Sequence, residues 1–381
     1  MIILSINPGS SSLKFCLYRL EQSSELLLLQ GKAERIGSVG SEYSSFKLAA
    51  EKIFGQVQEF CNASSLVIDI IGCRVVHGGE KFVKPQVVDR NIIAQIRELK
   101  SLAPIHNEIA ADVLESTLNQ FVSSRIIAVF DTSFHHQLPD VAAKYALPKE
   151  LSAKFHLRRY GFHGIAHQYV SSEIIKCLAR EVEGSRVISC HLGNGASIAA
   201  IKDGKCIDTS MGLTPLEGLI MGTRAGDIDP GLILHLINHY EIDPLELEQI
   251  LNFESGLLGL SALSADVRDL EIAASNNQDA EFALESFAYR VAKYIGSYFV
   301  ALGGVDAITF SGGIAENSNL MRQRICRKIS SLGITISNEV NLKAIAPYCI
   351  SEKDSFVSAW VVHADENLQI ARELSCMNLK Y

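Results

Sequence analysis

Residues 2–18 read IILSINPGSSSLKFCLY, and the second half of this stretch decides the fold. Ile2 to Ile6 is an apolar run of strand length, and Asn7-Pro8-Gly9-Ser10-Ser11-Ser12 is a loop of small residues. Beyond the loop, Leu13, Phe15 and Leu17 alternate with Lys14, Cys16 and Tyr18. A period of two is the period of a strand, so the loop leads from one strand directly into another. A Walker loop needs a second glycine and a following helix, and a dinucleotide-binding unit needs the helix too; both are excluded here.

Leu26 to Ala33 supplies a third strand. The same pattern returns at residues 186–209: Arg186 to Cys190 as a strand, the loop His191-Leu192-Gly193-Asn194-Gly195-Ala196-Ser197, Ile198 to Ile201 as a strand, an Asp203-Gly204 turn, and Lys205 to Thr209. Few identities link the two copies, so the repeat is one of structure. Helical stretches at Asp89 to Leu102, Glu108 to Phe121 and Glu281 to Leu302 lie between and after them. A third glycine-rich turn, Ser311-Gly312-Gly313-Ile314-Ala315-Glu316-Asn317, follows the strand Ala307 to Phe310 and precedes a helical Ser318 to Ser330, an order that favours an anion or nucleotide. Three glycine turns on a duplicated strand framework resemble the actin, Hsp70 and sugar-kinase superfamily. The expected fold is therefore α/β, a duplicated ribonuclease H-like (actin-like ATPase) chain with a central nucleotide cleft. Its domains are expected at 1–148 plus 366–381, the C-terminal helix crossing back, and at 149–365.

Composition sets the outer limits. The 381 residues are 48% hydrophobic and 20% charged, with 27 Gly and 9 Pro, which is globular and excludes a disordered or low-complexity chain. A net charge of −8 with no basic run argues against nucleic acid or anionic membrane as partner. Nine cysteines without a C-x-x-C, no basic stretch ahead of an apolar N-terminal run, and no apolar segment of spanning length point to a reducing cytoplasm.

Phosphoryl transfer needs positive charge around the equatorial oxygens and in-line positioning of donor and acceptor. Arg74 leads into a Gly78-Gly79 turn, and Arg224 lies between Gly222 and Gly226. Each also reads as a surface or salt-bridged arginine, but the glycine context favours an anion site. His163, in Tyr160-Gly161-Phe162-His163-Gly164, is the best placed histidine for charge stabilisation, against the alternative of a packed ring. His191 belongs near the nucleotide. Asp131 ends an apolar strand and is a metal or water ligand, or equally a turn former. Lys14 is a phosphate contact or a solvent-facing strand lysine, and Glu366 opens the last helix as ligand or dipole partner.

Nine segments then resemble, in order and over nearly the whole chain, the acetate/propionate/butyrate kinase family: INPGSSSLKF, RVVHGGEKF, LAPIHN, AVFDTSFH, YGFHG, HLGNGAS, DTSMGLTPLEGLIMGTRAGDIDP, SADVRD and FSGGIAENS. The resemblance implies Mg²⁺-dependent (or Mn²⁺-dependent), reversible transfer of the γ-phosphoryl of ATP to acetate, giving acetyl phosphate and ADP. Propionate or butyrate is the alternative acceptor, and an actin- or Hsp70-like ATP-driven binding protein the remote one. It places Asn7 and Glu366 at the metal and Lys14 near the phosphates. Arg74 and Arg224 are implied on the acceptor carboxylate and the transferring phosphoryl, His163 on the transition state, and Asp131 as the essential carboxylate, here preferred in an electrostatic or metal-orienting role. ATP falls to His191, Leu192, Gly193, Asn194 and Gly195, to Asp266, Val267 and Arg268, and to Gly313, Ile314, Ala315, Glu316 and Asn317. Val76, Ile105, Phe162 and Pro215 are implied as the acyl pocket, and the assembly as a homodimer to which Tyr294 to Leu302 contributes. Cys73, Glu108-Ile109, Ile165-Ala166, Ala262, Ala315 and His363 depart from the commoner family residues.

Overall fold

The alternation at residues 13–18 is realised as a strand buried on both faces. In a computed structural model of the chain, β1 (Ile2–Pro8) pairs antiparallel with β2 (Ser12–Glu21), setting Asn7 opposite Lys14, and β2 pairs with β3 (Ser24–Glu34). Residues 1–377 are described apart from 23, 39, 180 and 344, and so are their side chains apart from those at 101, 104 and 105. β4 (Ile70–Val75) runs parallel to β1 and β6 (Arg125–Phe130) parallel to β4, while the two-residue β5 (Gln86–Val87) closes the edge antiparallel. The sheet order is β3-β2-β1-β4-β6-β5.

The second sheet repeats this arrangement strand for strand. β7 (Arg186–Leu192), β8 (Ala196–Lys202) and β9 (Lys205–Thr209) form the antiparallel trio, β10 (Ala307–Ser311) and β12 (Ser358–Val361) add in parallel, and β11 (Tyr348–Cys349) closes the edge, giving β9-β8-β7-β10-β12-β11. The turn between β8 and β9 holds Asp203 at φ 53° and Gly204 at φ 70°, the geometry a tight hairpin demands. Two copies of one six-stranded order make this a duplicated ribonuclease H-like, actin-like α/β fold.

Because side chains alternate along each strand, each sheet buries two apolar faces. On the first, Leu4, Ile6, Phe15 and Leu17 pack under α1 (Phe46–Ala63) and α2 (Pro104–Gln120), and Ile3, Cys16, Tyr18 and Ile127 pack against the C-terminal helix Glu366–Ser375 through Ile370 and Leu374. The second helix starts at Pro104, ahead of the expected Glu108, because proline suits the first helical turn. In the second sheet α3 (Gln278–Leu302) lies on β7 and β8; Asn277 caps it, Asp279 and Glu281 suit its positive end, and Gly303 ends it at φ 67°. Ile295, Tyr298 and Leu302 are buried within this packing, while Val300 on the same stretch is exposed.

The chain divides into two compact units, Met1–His136 with Phe162–Ala166 and Asp365–Tyr381, and Gln137–Gly161 with His167–Ala364. Residues 137–148 count with the second unit because Lys144 bridges Arg158, the Arg159 N–H bonds Ala143 O, and the Tyr145 hydroxyl bonds Glu217. Residues 162–166 count with the first because Phe162 O accepts from His135 and Gly164 lies against Asp131. No helix among the described residues is long and apolar enough to cross a membrane.

Gly72 on β4 has no side chain because the C-terminal helix occupies the space: a Cβ there would stand 2.6 Å from both Ile370 and Leu374. Gly72→Val is expected to destabilise the first unit by about 1–3 kcal/mol through overpacking. Urea unfolding checks this, and an unchanged midpoint would remove the helix from the core of that unit.

Candidate active site

In the first unit, sheet order brings charge together at the C-terminal ends of β1, β4 and β6. Arg74 on β4 donates from Nε and Nη2 to Asp131 Oδ2 at 3.0 and 2.5 Å, and from Nη1 to Asn7 Oδ1 at 3.1 Å. Asn7 Nδ2 in turn donates to Glu366 Oε2 at 2.6 Å, and that oxygen lies 3.8 Å from Arg74 Nη1. Asp131 is fully buried and the Arg74 side chain is 12% exposed. Burial alone would lower Arg74, but Asp131 and Glu366 outweigh it and hold the guanidinium above its ordinary value. Burial likewise pushes the Asp131 carboxyl up, and Arg74 pulls it only part of the way back.

The loop of residues 160–164 is shaped by its glycines. Gly161 takes φ 73°, a Cβ on Gly164 would overlap the carbonyl oxygen of Asp131, and His163 between them takes φ 54°. That is a strained conformation for a residue with a side chain, and it sits beside Asp131's own turn. His77, on the other side of Phe162, stacks edge-on with it at 5.4 Å. Val76 and Phe162 are buried, and the side chain of Ile105 lies outside the described residues. Lys14 is exposed and borders a recess of about 420 Å³ with Gln30, Lys32 and Asn367.

In the second unit a recess of about 630 Å³ is lined by Gly193, Asn194, Asp266, Val267, Arg268, Gly313, Ile314 and Asn317, all singled out from sequence, and by Ala265 and Ser318, which were not. Ala265 lies within the SADVRD segment and Ser318 ends the FSGGIAENS segment, so the segments already contained both. Five other candidates do not line it. Leu192 and Ala315 are buried, His191 bonds Ser311 at 3.2 Å, Gly195 accepts from Gly193, and Glu316 turns toward Gly312, Ala364 and His363.

Arg224 is tied to this recess by backbone. Asn194 O accepts from Gly222 N–H at 3.0 Å, a Cβ on Gly222 would overlap Asn194 Oδ1, and Met221 N–H bonds Arg224 O. The Arg224 guanidinium donates to Pro215 O at 3.1 Å and forms no ion pair among the described residues; burial lowers its pKa. Arg74, Asp131, Phe162 and His163 thus belong to one unit, Arg224 and Pro215 to the other.

Asn7 and Glu366 are neighbours that each carry a hard oxygen, Asn7 turning its Nδ2 to Glu366 and its Oδ1 to Arg74, and among the described residues no group of three or more His, Cys, Asp or Glu is spaced to cage a metal. That set fits a magnesium ion that keeps waters and takes further ligands from phosphate oxygens, and does not fit an all-protein site.

The sequence profile of the Acetokinase family matches residues 2–372. The chain belongs to that family. The acetate kinase of Dictyoglomus turgidum is 43% identical over 393 aligned positions, covering 98% of this chain and 96% of that protein. Among solved structures, Porphyromonas gingivalis acetate kinase superposes with a TM-score of 0.88 at 37% identity and a propionate kinase from Francisella tularensis with 0.87 at 36%, each covering 98% of both chains. These full-length matches fall on the acetokinase framework of both sheets.

His135 offers a test of the first unit's packing. It is fully buried, its Nε2 stands 3.0 Å from Phe162 O, and burial lowers its pKa from 6.5 to about 4. The folded state keeps it neutral while the unfolded chain takes up the proton, so stability is lost as pH falls from 6.5 toward 4, by up to about 3 kcal/mol. His135→Gln, which keeps a donor for Phe162 O, is expected to flatten this acid loss in unfolding measurements at pH 7 and 4.5. Equal losses in both proteins would exclude His135 as the source.

Proposed function

We propose that the protein is a Mg²⁺-dependent kinase that transfers the γ-phosphoryl of ATP directly and reversibly to acetate, giving acetyl phosphate and ADP. The observation that carries this is Arg224, a half-buried guanidinium without a carboxylate partner among the described residues, whose loop is joined to the recess by the Gly222 N–H bond to Asn194 O. A desolvated cation costs stability unless an anion completes it, and the anions here are the acceptor carboxylate and the transferring phosphoryl. ATP binds in the recess of Gly193, Asn194, Asp266 to Arg268, Gly313, Ile314 and Asn317, where backbone N–H groups on glycine turns meet phosphate oxygens without steric cost.

The first unit carries the remaining charged residues of this reading. Arg74 is oriented by Asp131 and Asn7, so one edge of its guanidinium is fixed before any ligand arrives. Asp131 acts electrostatically through Arg74, since a carboxylate acceptor is already ionised at neutral pH and needs no base. His163 stabilises negative charge developing on the phosphoryl oxygens, and Lys14 serves the nucleotide phosphates. Asn7 and Glu366 would hold the magnesium ion, mostly through water; it would neutralise phosphate charge. Val76 and Phe162 are buried apolar groups suited to the acyl methyl, and Ile105 and Pro215 keep the same assignment in this reading. Propionate is the alternative acceptor, favoured by the likeness to the Francisella tularensis propionate kinase, because an apolar pocket discriminates a methylene by only about 1–3 kcal/mol. A reducing cytoplasm suits nine free thiols.

A hydroxamate assay with ATP and each acid decides the acceptor: kcat/KM is expected to fall from acetate to propionate to butyrate. No acyl phosphate from any of them overturns the kinase reading, and a higher value for propionate overturns acetate. Arg224→Lys, which keeps charge but loses the planar fork, is expected to cost about tenfold or more in kcat/KM.

The homodimer implied by the family has a surface that fits it. The helix Pro230–Tyr240 buries no residue, yet carries Leu232, Leu234 and Tyr240 at 42%, 59% and 67% exposure, with Leu245 nearby in sequence at 75%. A second copy of the chain would cover this face. Light scattering is expected to give a dimer that Leu234→Glu with Leu245→Glu converts to monomer; a dimer unaffected by both changes would move the interface elsewhere.

A further inference from the structure

Glu316 lies in the nucleotide-facing turn but its side chain does not line the recess. Oε1 accepts from Gly312 N–H at 2.8 Å and Ala364 N–H at 3.4 Å, and Oε2 stands 2.7 Å from His363 Nδ1. Gly312 opens the turn at φ 84°, where a Cβ would press on the Leu192 backbone, so the turn is seated closely on the end of β7. From behind, the buried Arg322 donates to Ala315 O at 2.7 Å and Glu316 O at 3.0 Å, its other donors being taken by Asn341. The segment 312–317 is therefore held by a carboxylate at its front and a guanidinium at its back, while Gly313, Ile314 and Asn317 face the recess.

The two braces differ in what supports them. Arg322 is core. His363 has a side chain 70% exposed, so it contributes little packing, and its ring nitrogen is 2.7 Å from Glu316, whose side chain is 20% exposed. Burial would push Glu316 up, but His363 and the backbone N–H groups hold it below the ordinary carboxylate range, as an anion that needs its donors. Without the imidazole, the carboxylate is drawn toward water and the Gly312 N–H loses its acceptor.

We propose that His363 is a positioning residue for the nucleotide: by holding the Glu316 carboxylate against Gly312 and Ala364, it fixes the Gly313–Asn317 wall of the recess. It acts on affinity for an adenine nucleotide and not on the phosphoryl-transfer step. This rests on the reading of the recess as the nucleotide site.

The test uses the full chain, with ADP titrated calorimetrically in the absence of any acceptor, alongside steady-state kinetics and melting curves. His363→Ala is expected to weaken ADP binding and raise KM for ATP about three- to tenfold, with kcat and the carboxylate KM within about twofold, as loss of one charge-assisted hydrogen bond at a partly exposed site implies. The melting temperature stays at the wild-type value. His363→Asn, which keeps a donor near the Nδ1 position, restores nucleotide affinity. Unchanged ADP affinity in His363→Ala, a loss falling on kcat or the carboxylate KM, or an equal loss in His363→Asn overturns the proposal. If the wild-type chain itself binds no ADP, the nucleotide reading fails and takes this one with it; if it binds and the variant binds equally well, only the positioning role is lost.

Discussion

A guanidinium locked against a fully buried carboxylate is the constraint around which the first unit is arranged. Taking Arg74 and Asp131 out of water costs several kcal/mol per ion before their attraction is counted, so the pair survives only with good geometry and further hydrogen bonds. Both are present: two donors from Arg74 reach one Asp131 oxygen, and Asn7 and Glu366 extend the network. These four residues come from β4, the turn after β6, β1 and the start of the C-terminal helix. Only the order β1-β4-β6, with that helix laid across the sheet, brings them within hydrogen-bonding distance.

The neighbouring backbone yields to this pair. Gly164 has no room for a side chain beside Asp131 O, and His163 adopts a left-handed conformation to pass it. Strain of this sort persists where surrounding structure over-determines it. The second unit is built on the opposite electrostatic plan. Arg224 has carbonyl and thioether contacts but no counter-charge among the described residues, and its loop is pinned to Asn194 and to residues 255–258 by backbone hydrogen bonds. One unit carries a cation already paired and oriented, the other a cation whose described contacts are uncharged. A negatively charged protein can thus handle small anions, because a few local desolvated charges outweigh a screened net charge of −8.

Much of the framework was legible in the chain itself. Period-two alternation after residues 7–12 and again after 191–197 marked strand following strand, and the apolar run before Asp131 marked β6. Glycine spacing singled out most of the residues that line the 630 Å³ recess. Less was legible about helix ends, where Pro104 starts its helix earlier than the polar pattern suggested, and about the stretch 294–302, where one face packs on its own sheet and Val300 stays exposed. An apolar stripe reports that a face is covered, not by what.

The sequence by itself determined the repeat, the strand and turn types, and the residues rich enough in chemistry to matter, because these follow from local periodicity and backbone sterics. It did not determine that Asp131 is paired with Arg74, 57 positions away, that Asn7 meets Glu366 across 359, or that Glu316 leaves the recess for His363. Those partnerships depend on strand order and helix placement, which local periodicity does not encode. They are decided where two six-stranded sheets close over their cores and each buried polar group takes the partner that the fold has brought within reach.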